Sequence, residues 1–158
     1  MTSRTLVTLA VVGAAVVLAA VVGIVVRDGG RTPAPTGPMV TVYRQAGCDC
    51  CLRWVEHLRR AGLRVTVQDG PDTEAIRATY KVPTALQSCH TAIVDGYVVE
   101  GHVAVDLIAR LLQERPAVRG IAVPGMPIGS PGMEGNRVEH YDVLTFDTEG
   151  RTTVFAKR

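Results

Sequence analysis

The sequence has almost no excess charge of either sign: 17 basic residues stand against 15 acidic ones among 158, for a formal net charge of +2. It also lacks any cluster of arginine or lysine, which a nucleic-acid interface would need as a concentrated basic surface. No Ser/His/Asp set, phosphate-binding loop or pair of carboxylates stands out, so hydrolase and transferase chemistry is disfavoured. We therefore expect neither a nucleic-acid partner nor a catalytic set of these kinds.

The N-terminal segment lacks charge altogether over residues 6–26, LVTLAVVGAAVVLAAVVGIVV. As a helix, this run would span about 30 Å, the thickness of the hydrocarbon core of a bilayer. It predicts that residues 1–26 form a single-pass transmembrane helix, with a cleaved secretory signal as the alternative. In both cases the rest of the chain is expected on the extracytoplasmic (periplasmic) side, either anchored to the cell membrane or secreted. Residues 27–38, RDGGRTPAPTGP, predict a Pro/Gly linker to a domain over 39–158.

Cysteines are few, but three of the four are crowded into the stretch CDCC as Cys48, Cys50 and Cys51. In an exported domain, four cysteines would ordinarily predict two disulfides. A bridge between the adjacent Cys50 and Cys51 needs a strained ring, so the crowding fits metal ligation or redox chemistry better. Cys48 and Cys51 also have CxxC spacing, which leaves an extracytoplasmic thiol–disulfide oxidoreductase as an alternative function.

Hydrophobic periodicity and turn residues predict an α/β domain with the element order β-α-β-α-β-β-α, which is the plan of a small thioredoxin-like fold. Asp95-Gly96 is a strong signal for a two-residue hairpin turn. After this core, a Gly/Pro loop and a β-hairpin form a C-terminal extension. The predicted strands are 40–44, 63–69, 91–94, 97–100, 141–147 and 152–157, the predicted helices are about 50–61 (capped by Asp49 or a neighbour), 73–80 and 105–114, and the loop is 123–135.

In such a fold, the chain that enters the strand after Val82-Pro83 passes beside the first strand–helix loop. This placement would bring Cys89 and His90 next to the CDCC cysteines. Several thiolates within a few ångströms repel one another, so they need a cation. Thiolate, thioether and imidazole suit Cu(I), whereas zinc prefers a closed tetrahedral site of cysteine and histidine.

Three further residues are candidate ligands. Met126 and Met133 lie in the Gly/Pro loop, and a thioether binds Cu(I) well but zinc poorly; packing of the loop onto the domain is the other explanation. His102 is a candidate ligand or a neighbour of the ligands, and a solvent-exposed histidine at a helix start is the alternative. His57 is expected to lie too far away, and His140 at the surface.

Three motifs, VYRQAGCDCCLRWVEHLRRAGL, VPTALQSCHTAIVDGYVVEGHV and VPGMPIGSPGMEG, closely resemble the periplasmic copper-resistance proteins of the CopG family, which are unrelated to the DNA-binding repressors of that name. The resemblance runs from about Val40 to the C-terminus. It implies a thioredoxin-like domain that holds a multinuclear, cysteine-bridged copper cluster and possible interconversion of Cu(I) and Cu(II) in copper detoxification. The implied thiolate ligands are Cys48, Cys50, Cys51 and Cys89, with His90, His102, Met126 and Met133 as less definite ones.

The sequence thus predicts chiefly a metal-binding protein, whose partners would be copper ions, copper export or detoxification proteins and, through the N-terminal helix, a membrane. Whether it is also a copper oxidoreductase is left open. A zinc-stabilised interaction module is a third possibility.

Overall fold

The structure is a computed structural model, and it describes residues 36–70 and 72–158. The predicted membrane segment and most of the predicted linker lie outside these residues. Within the two described ranges, no helix is both long enough and apolar enough to cross a membrane.

The described chain has a mixed α/β fold whose elements follow the predicted order through the third helix. A 3₁₀ turn, Thr84–Leu86, leads into the third strand. The strands are β1 (Met39–Arg44), β2 (Arg64–Asp69), β3 (His90–Val94), β4 (Tyr97–Glu100), β5 (Gly120–Ala122), β6 (Asp142–Phe146) and β7 (Thr152–Lys157), and the α-helices are α1 (Asp49–Arg60), α2 (Thr73–Tyr80) and α3 (Val105–Glu114).

All seven strands form one sheet in the order β2-β1-β3-β4-β5-β6-β7. β1 pairs with β2 in parallel and with β3 in antiparallel register, so the end of β1 lies beside the start of β3, with Arg44 opposite His90. The CDCC loop follows the end of β1, and Cys89 directly precedes β3. The register of these two central strands therefore brings the two cysteine-bearing segments to the same end of the sheet.

The sheet is covered on both faces, and strand alternation decides which side chains go to which face. The larger core contains α1 and α3 residues such as Trp54 and Leu111, together with Ala92 and Val94 of β3. A smaller core on the other face includes Val82, close to the end of α2, and Val98. Because side chains alternate along a strand, His90 points to the α1 face, with Ala92 and Val94.

The cap of α1 agrees with the prediction, and one strand was not predicted. Cys48, the neighbour of Asp49, is the N-cap of α1, and its side chain makes no capping hydrogen bond. In α2, by contrast, the Asp72 side chain accepts hydrogen bonds from the backbone N–H groups of Glu74 and Ala75. The short strand β5 was not predicted, because three residues are too few to show a period. It joins the C-terminal hairpin to the sheet, and at Gly120 a Cβ would lie 2.1 Å from the carbonyl oxygen of Val98, so only glycine fits there.

Candidate metal centre

The three crowded cysteines lie at the junction of β1 and α1. Gly47 has a φ of 82°, which lets the chain turn sharply before the helix. Cys48 then caps α1, while Cys50 and Cys51 lie in its first turn. The Arg44 guanidinium donates a hydrogen bond to the carbonyl oxygen of Cys48 at 3.1 Å. The N-terminus of a helix is in general a favourable position for anionic sulfur.

All four sulfurs meet at this point, each within 4.8 Å of the others. Cys48 and Cys51 are joined as a disulfide with Cα atoms 5.4 Å apart, whereas Cys50 and Cys89 are free thiols. The sulfur of Cys50 lies 3.5 Å from that of Cys48. The structure thus brings together the four cysteines that the sequence singled out, and in this state two of them have a thiol available to a metal.

Cys89 also belongs to a second group of close donors, with His90 and His102. Its sulfur lies 2.9 Å from Nε2 of His102 and 3.3 Å from Nδ1 of His90. Nδ1 of His102 is 2.8 Å from the carbonyl oxygen of Pro131, which only accepts, so Nδ1 carries the proton. This leaves the lone pair of Nε2 facing the sulfur. Metal-binding histidines are commonly oriented in this way, by a hydrogen bond from their other ring nitrogen to a backbone carbonyl oxygen.

His90 is completely buried, and its Nε2 has no hydrogen-bond partner among the residues that the structure describes. Its ring lies 4.3 Å from that of Trp54, centroid to centroid. Burial lowers the pKa of His90 well below its usual value, and electrostatic interactions with the neighbouring His102 imidazole and with Arg77 lower it further. Burial likewise lowers the pKa of His102. Both imidazoles are therefore neutral at physiological pH, which is the form that binds metals.

The pKa of the Cys89 thiol is shifted upward. Burial, reinforced by the neighbouring Cys50, raises the pKa of Cys89 to about 12. This thiol stays protonated at neutral pH unless a cation displaces the proton, because metals bind the thiolate. The cluster is therefore a site that requires a positive ion before its sulfurs can ionise together.

A buried ion pair holds the segment that carries Cys89 from the opposite face of the sheet. Nε of Arg77 lies 3.0 Å from Oε1 of Glu100, and the same carboxylate oxygen accepts a hydrogen bond from the N–H of Ser88 at 2.8 Å. Arg77 also donates to the carbonyl oxygen of Ser88. Thr91 donates to the other oxygen of Glu100 at 2.6 Å. Both backbone groups of the residue before Cys89 are thus fixed.

The Gly/Pro loop packs directly on α1. A Cβ at Gly132 would lie 2.6 Å from the carbonyl oxygen of Cys50, so the loop approaches the cysteine turn as closely as a glycine allows. Arg53 donates to the carbonyl oxygen of Gly132 at 3.0 Å, and Glu134 pairs with His57 at 2.6 Å. Partial burial raises the pKa of Glu134, but hydrogen bonds from Gly132 and His57 outweigh it and lower the pKa to about 2.

The two methionines lie in this loop at different depths. Met126 is exposed (52% of its surface) and follows Gly125, whose carbonyl oxygen accepts a hydrogen bond from Ser88. Met133 is half-buried and follows Gly132. The structure thus places both methionines beside residues that contact the cysteine segments, and their role as ligands stays a prediction. His57 binds Glu134 instead, and His140 is exposed, as expected.

Sequence reasoning missed the supporting residues. Neither Arg77 nor Glu100 was singled out from the sequence, although a lone carboxylate ending the apolar run YVVE was a usable signal. The carbonyl oxygen of Pro131, which orients His102, leaves no trace in the sequence.

The fold and this cluster define a metal-binding α/β protein with a cysteine- and histidine-rich site, a donor set that suits soft metal ions. Residues 86–133 match the family described as "Protein of unknown function, DUF411". No curated protein matches the sequence. Two solved structures of copper resistance protein copG do: form 2 is 41% identical, with a TM-score of 0.73 and coverage of 77% of this chain and 98% of that one, and form 1 is 42% identical, with a TM-score of 0.72 and coverage of 76% and 96%.

The chain therefore belongs to the CopG family of copper-resistance proteins. This confirms the resemblance seen in the three sequence motifs.

Proposed function

We propose that this chain is a copper-binding protein of copper resistance whose four cysteine sulfurs, when reduced, bridge more than one copper ion. One observation carries the proposal: the four sulfurs lie within 4.8 Å of one another, next to two histidines. Bridging fits this crowding because each shared thiolate is neutralised by more than one cation.

The donor chemistry favours copper over zinc. The four sulfurs, a buried imidazole with a nitrogen that has no hydrogen-bond partner among the described residues, and a second imidazole whose lone pair faces a thiol form a soft set. We propose His90 and His102 as ligands that act together with Cys89, and Met126 and Met133 as ligands that the loop supplies. The site holds copper as cargo or substrate, and interconversion of Cu(I) and Cu(II) is the finer part of the proposal.

The setting of the site is also proposed. The order β2-β1-β3-β4, with helices on both faces, supports a thioredoxin-like core, which the C-terminal hairpin extends. The uncharged run over residues 6–26 supports a single-pass anchor with the domain on the extracytoplasmic side, or export followed by cleavage. An anchored protein would work beside copper export or detoxification proteins.

Copper titration of the full-length chain tests the main claim. The protein is reduced, kept anaerobic in a mild detergent, and titrated with Cu(I) against a chromophoric chelator. More than one tightly held copper per chain is expected, and Cys89→Ser and His102→Ala should each lower that number. His140→Ala, an exposed histidine outside the cluster, is the matched control and should not. One zinc and no copper preference would instead identify a zinc-stabilised module.

A second candidate function has an observation of its own. The Cys48–Cys51 disulfide has the CxxC spacing of thiol–disulfide oxidoreductases. If the chain reduces insulin, if Cys48→Ser abolishes that activity, and if Cys50→Ser and Cys89→Ser leave copper stoichiometry unchanged, the copper-cluster proposal is wrong.

A further inference from the structure

The four sulfurs of the cluster fall into two pairs with different chemistry. Cys48 and Cys51 are joined, and their Cα separation of 5.4 Å lies in the ordinary range for disulfides. Cys50 and Cys89 are thiols, one from the first turn of α1 and one from the segment before β3. The site therefore contains a two-electron dithiol/disulfide couple in direct contact with two further sulfur ligands.

We propose that the Cys48–Cys51 pair is the electron donor for copper at this site, and that the reduced pair converts two Cu(II) ions to two Cu(I) ions as it closes into the disulfide. This inference rests on the proposed copper-binding function. Each thiol gives up its proton to solvent and one electron to one Cu(II). The two sulfurs then form the S–S bond, so two electrons leave the protein and two Cu(I) ions are produced.

The geometry selects this pair among the four cysteines. Cys50 and Cys51 are adjacent, and a ring between adjacent cysteines is strained. Cys89 belongs to a different segment of the chain from the CDCC loop. The Arg77–Glu100 pair holds that segment in place by binding the backbone of Ser88. Cys48, the N-cap of α1, and Cys51, in its first turn, are already held at bonding distance.

The same step changes what the site offers to copper. Before it, four sulfurs are available; afterwards only Cys50 and Cys89 can act as thiolates, with Nε2 of His102 2.9 Å from the Cys89 sulfur. Two thiolates and an imidazole still suit Cu(I) but hold fewer ions than four bridging thiolates. Reduction of Cu(II) by the cysteine pair would thus lower the number of copper ions that the site can hold. Such a loss of capacity would favour release of the Cu(I) that has formed.

A single-turnover experiment tests this. The full-length chain, fully reduced and free of other reductants, receives Cu(II) anaerobically. Loss of the Cu(II) signal in electron paramagnetic resonance, Cu(I) trapped by a chromophoric chelator, and alkylation with mass spectrometry are followed together. About two Cu(I) per chain are expected, with one disulfide, between Cys48 and Cys51, and two alkylated cysteines.

Substitutions of the two cysteines test whether they supply the electrons. Cys48→Ser and Cys51→Ser should each lower the yield to below about one Cu(I) per chain, because the two-electron couple is lost. Leu52→Ala, an exposed neighbour on α1, is the control and should keep the full yield. Cys51 is buried, so Cys48→Ser decides the result if Cys51→Ser does not fold.

The failures are distinguishable. Copper that binds and stays Cu(II), Cu(I) that appears with four thiols intact, or a disulfide at other positions would each overturn this inference and leave copper binding in place. A chain that takes up neither Cu(I) nor Cu(II) would overturn the proposed function itself.

Discussion

Replacing Arg77 by methionine should damage the protein in a way that depends on pH. The substitution keeps an unbranched side chain about as long as the stem of arginine but removes the cation beside Glu100, a carboxylate with no exposed surface. Leaving one partner of a buried ion pair uncompensated costs about 3–5 kcal/mol of unfolding free energy. Since folded domains are stable by only about 5–15 kcal/mol, this loss is a large fraction of the total.

The pH dependence follows from the same carboxylate. Burial raises the pKa of Glu100, and the lowering contributions from Arg77 disappear in the variant. A carboxyl group whose folded pKa is raised contributes stability that is present below the unfolded pKa and is lost as the pH rises through the folded pKa. Within that window the variant should lose about 1.4 kcal/mol per pH unit. It should therefore be closest to wild type under acidic conditions.

Urea denaturation of wild type and variant between about pH 4 and pH 8 measures this difference in unfolding free energy. The range runs from near the usual carboxyl pKa to just above neutral pH. The double variant Arg77→Met with Glu100→Gln removes both charges and should be more stable than Arg77→Met alone. A loss of less than about 1 kcal/mol at neutral pH would refute the reasoning, because the pair would then behave like an exposed one. A double variant no better than the single would refute it as well.

Three further predictions concern the loop and the single tryptophan. Gly132→Ala should cost about 1–3 kcal/mol more than Gly150→Ala, because both glycines have positive φ but only a Cβ at Gly132 meets backbone atoms; equal losses in urea would argue against the packing of the loop on α1. Glu134→Gln should lower the unfolding free energy at pH values above the usual carboxyl pKa. The difference from wild type should vanish as the pH falls to about 2, because a depressed pKa gives stability that is lost on acidification. A difference in unfolding free energy that persists at the acidic end would contradict this. Copper should quench the fluorescence of Trp54, whose ring lies 4.3 Å from that of His90, and an emission insensitive to bound copper would argue against ligation by His90.

The regular elements of the fold were predictable because their signals are local. The helices Thr73–Tyr80 and Val105–Glu114 and the strand Tyr97–Glu100 begin and end as predicted. Helical spacing, a Val-Pro or Glu-Arg-Pro stop and an Asp-Gly turn each act over a few residues. β5 was not predictable, because its three residues are ordered by pairing with β4 and β6, which lie far from each other in the sequence.

The candidate site was also only partly predictable from the sequence. The spacing of CDCC is a property of the sequence, and it alone indicates unusual sulfur chemistry, since adjacent cysteines cannot pair freely. The position of Cys89 beside them required a fold hypothesis, because Cys51 and Cys89 are 38 positions apart in the sequence.

The sequence by itself determined which donor atoms this protein has, how three of its sulfurs are spaced, and that its elements alternate as in an α/β domain. Only the tertiary structure decided that Cys48 and Cys51 lie at bonding distance, that Pro131 orients His102 toward Cys89, and that Arg77 and Glu100 hold Ser88 from behind the sheet. The reason is physical. Spacing and periodicity act along the chain, whereas hydrogen bonds and ion pairs between distant residues exist only after strand register and packing have brought those residues together.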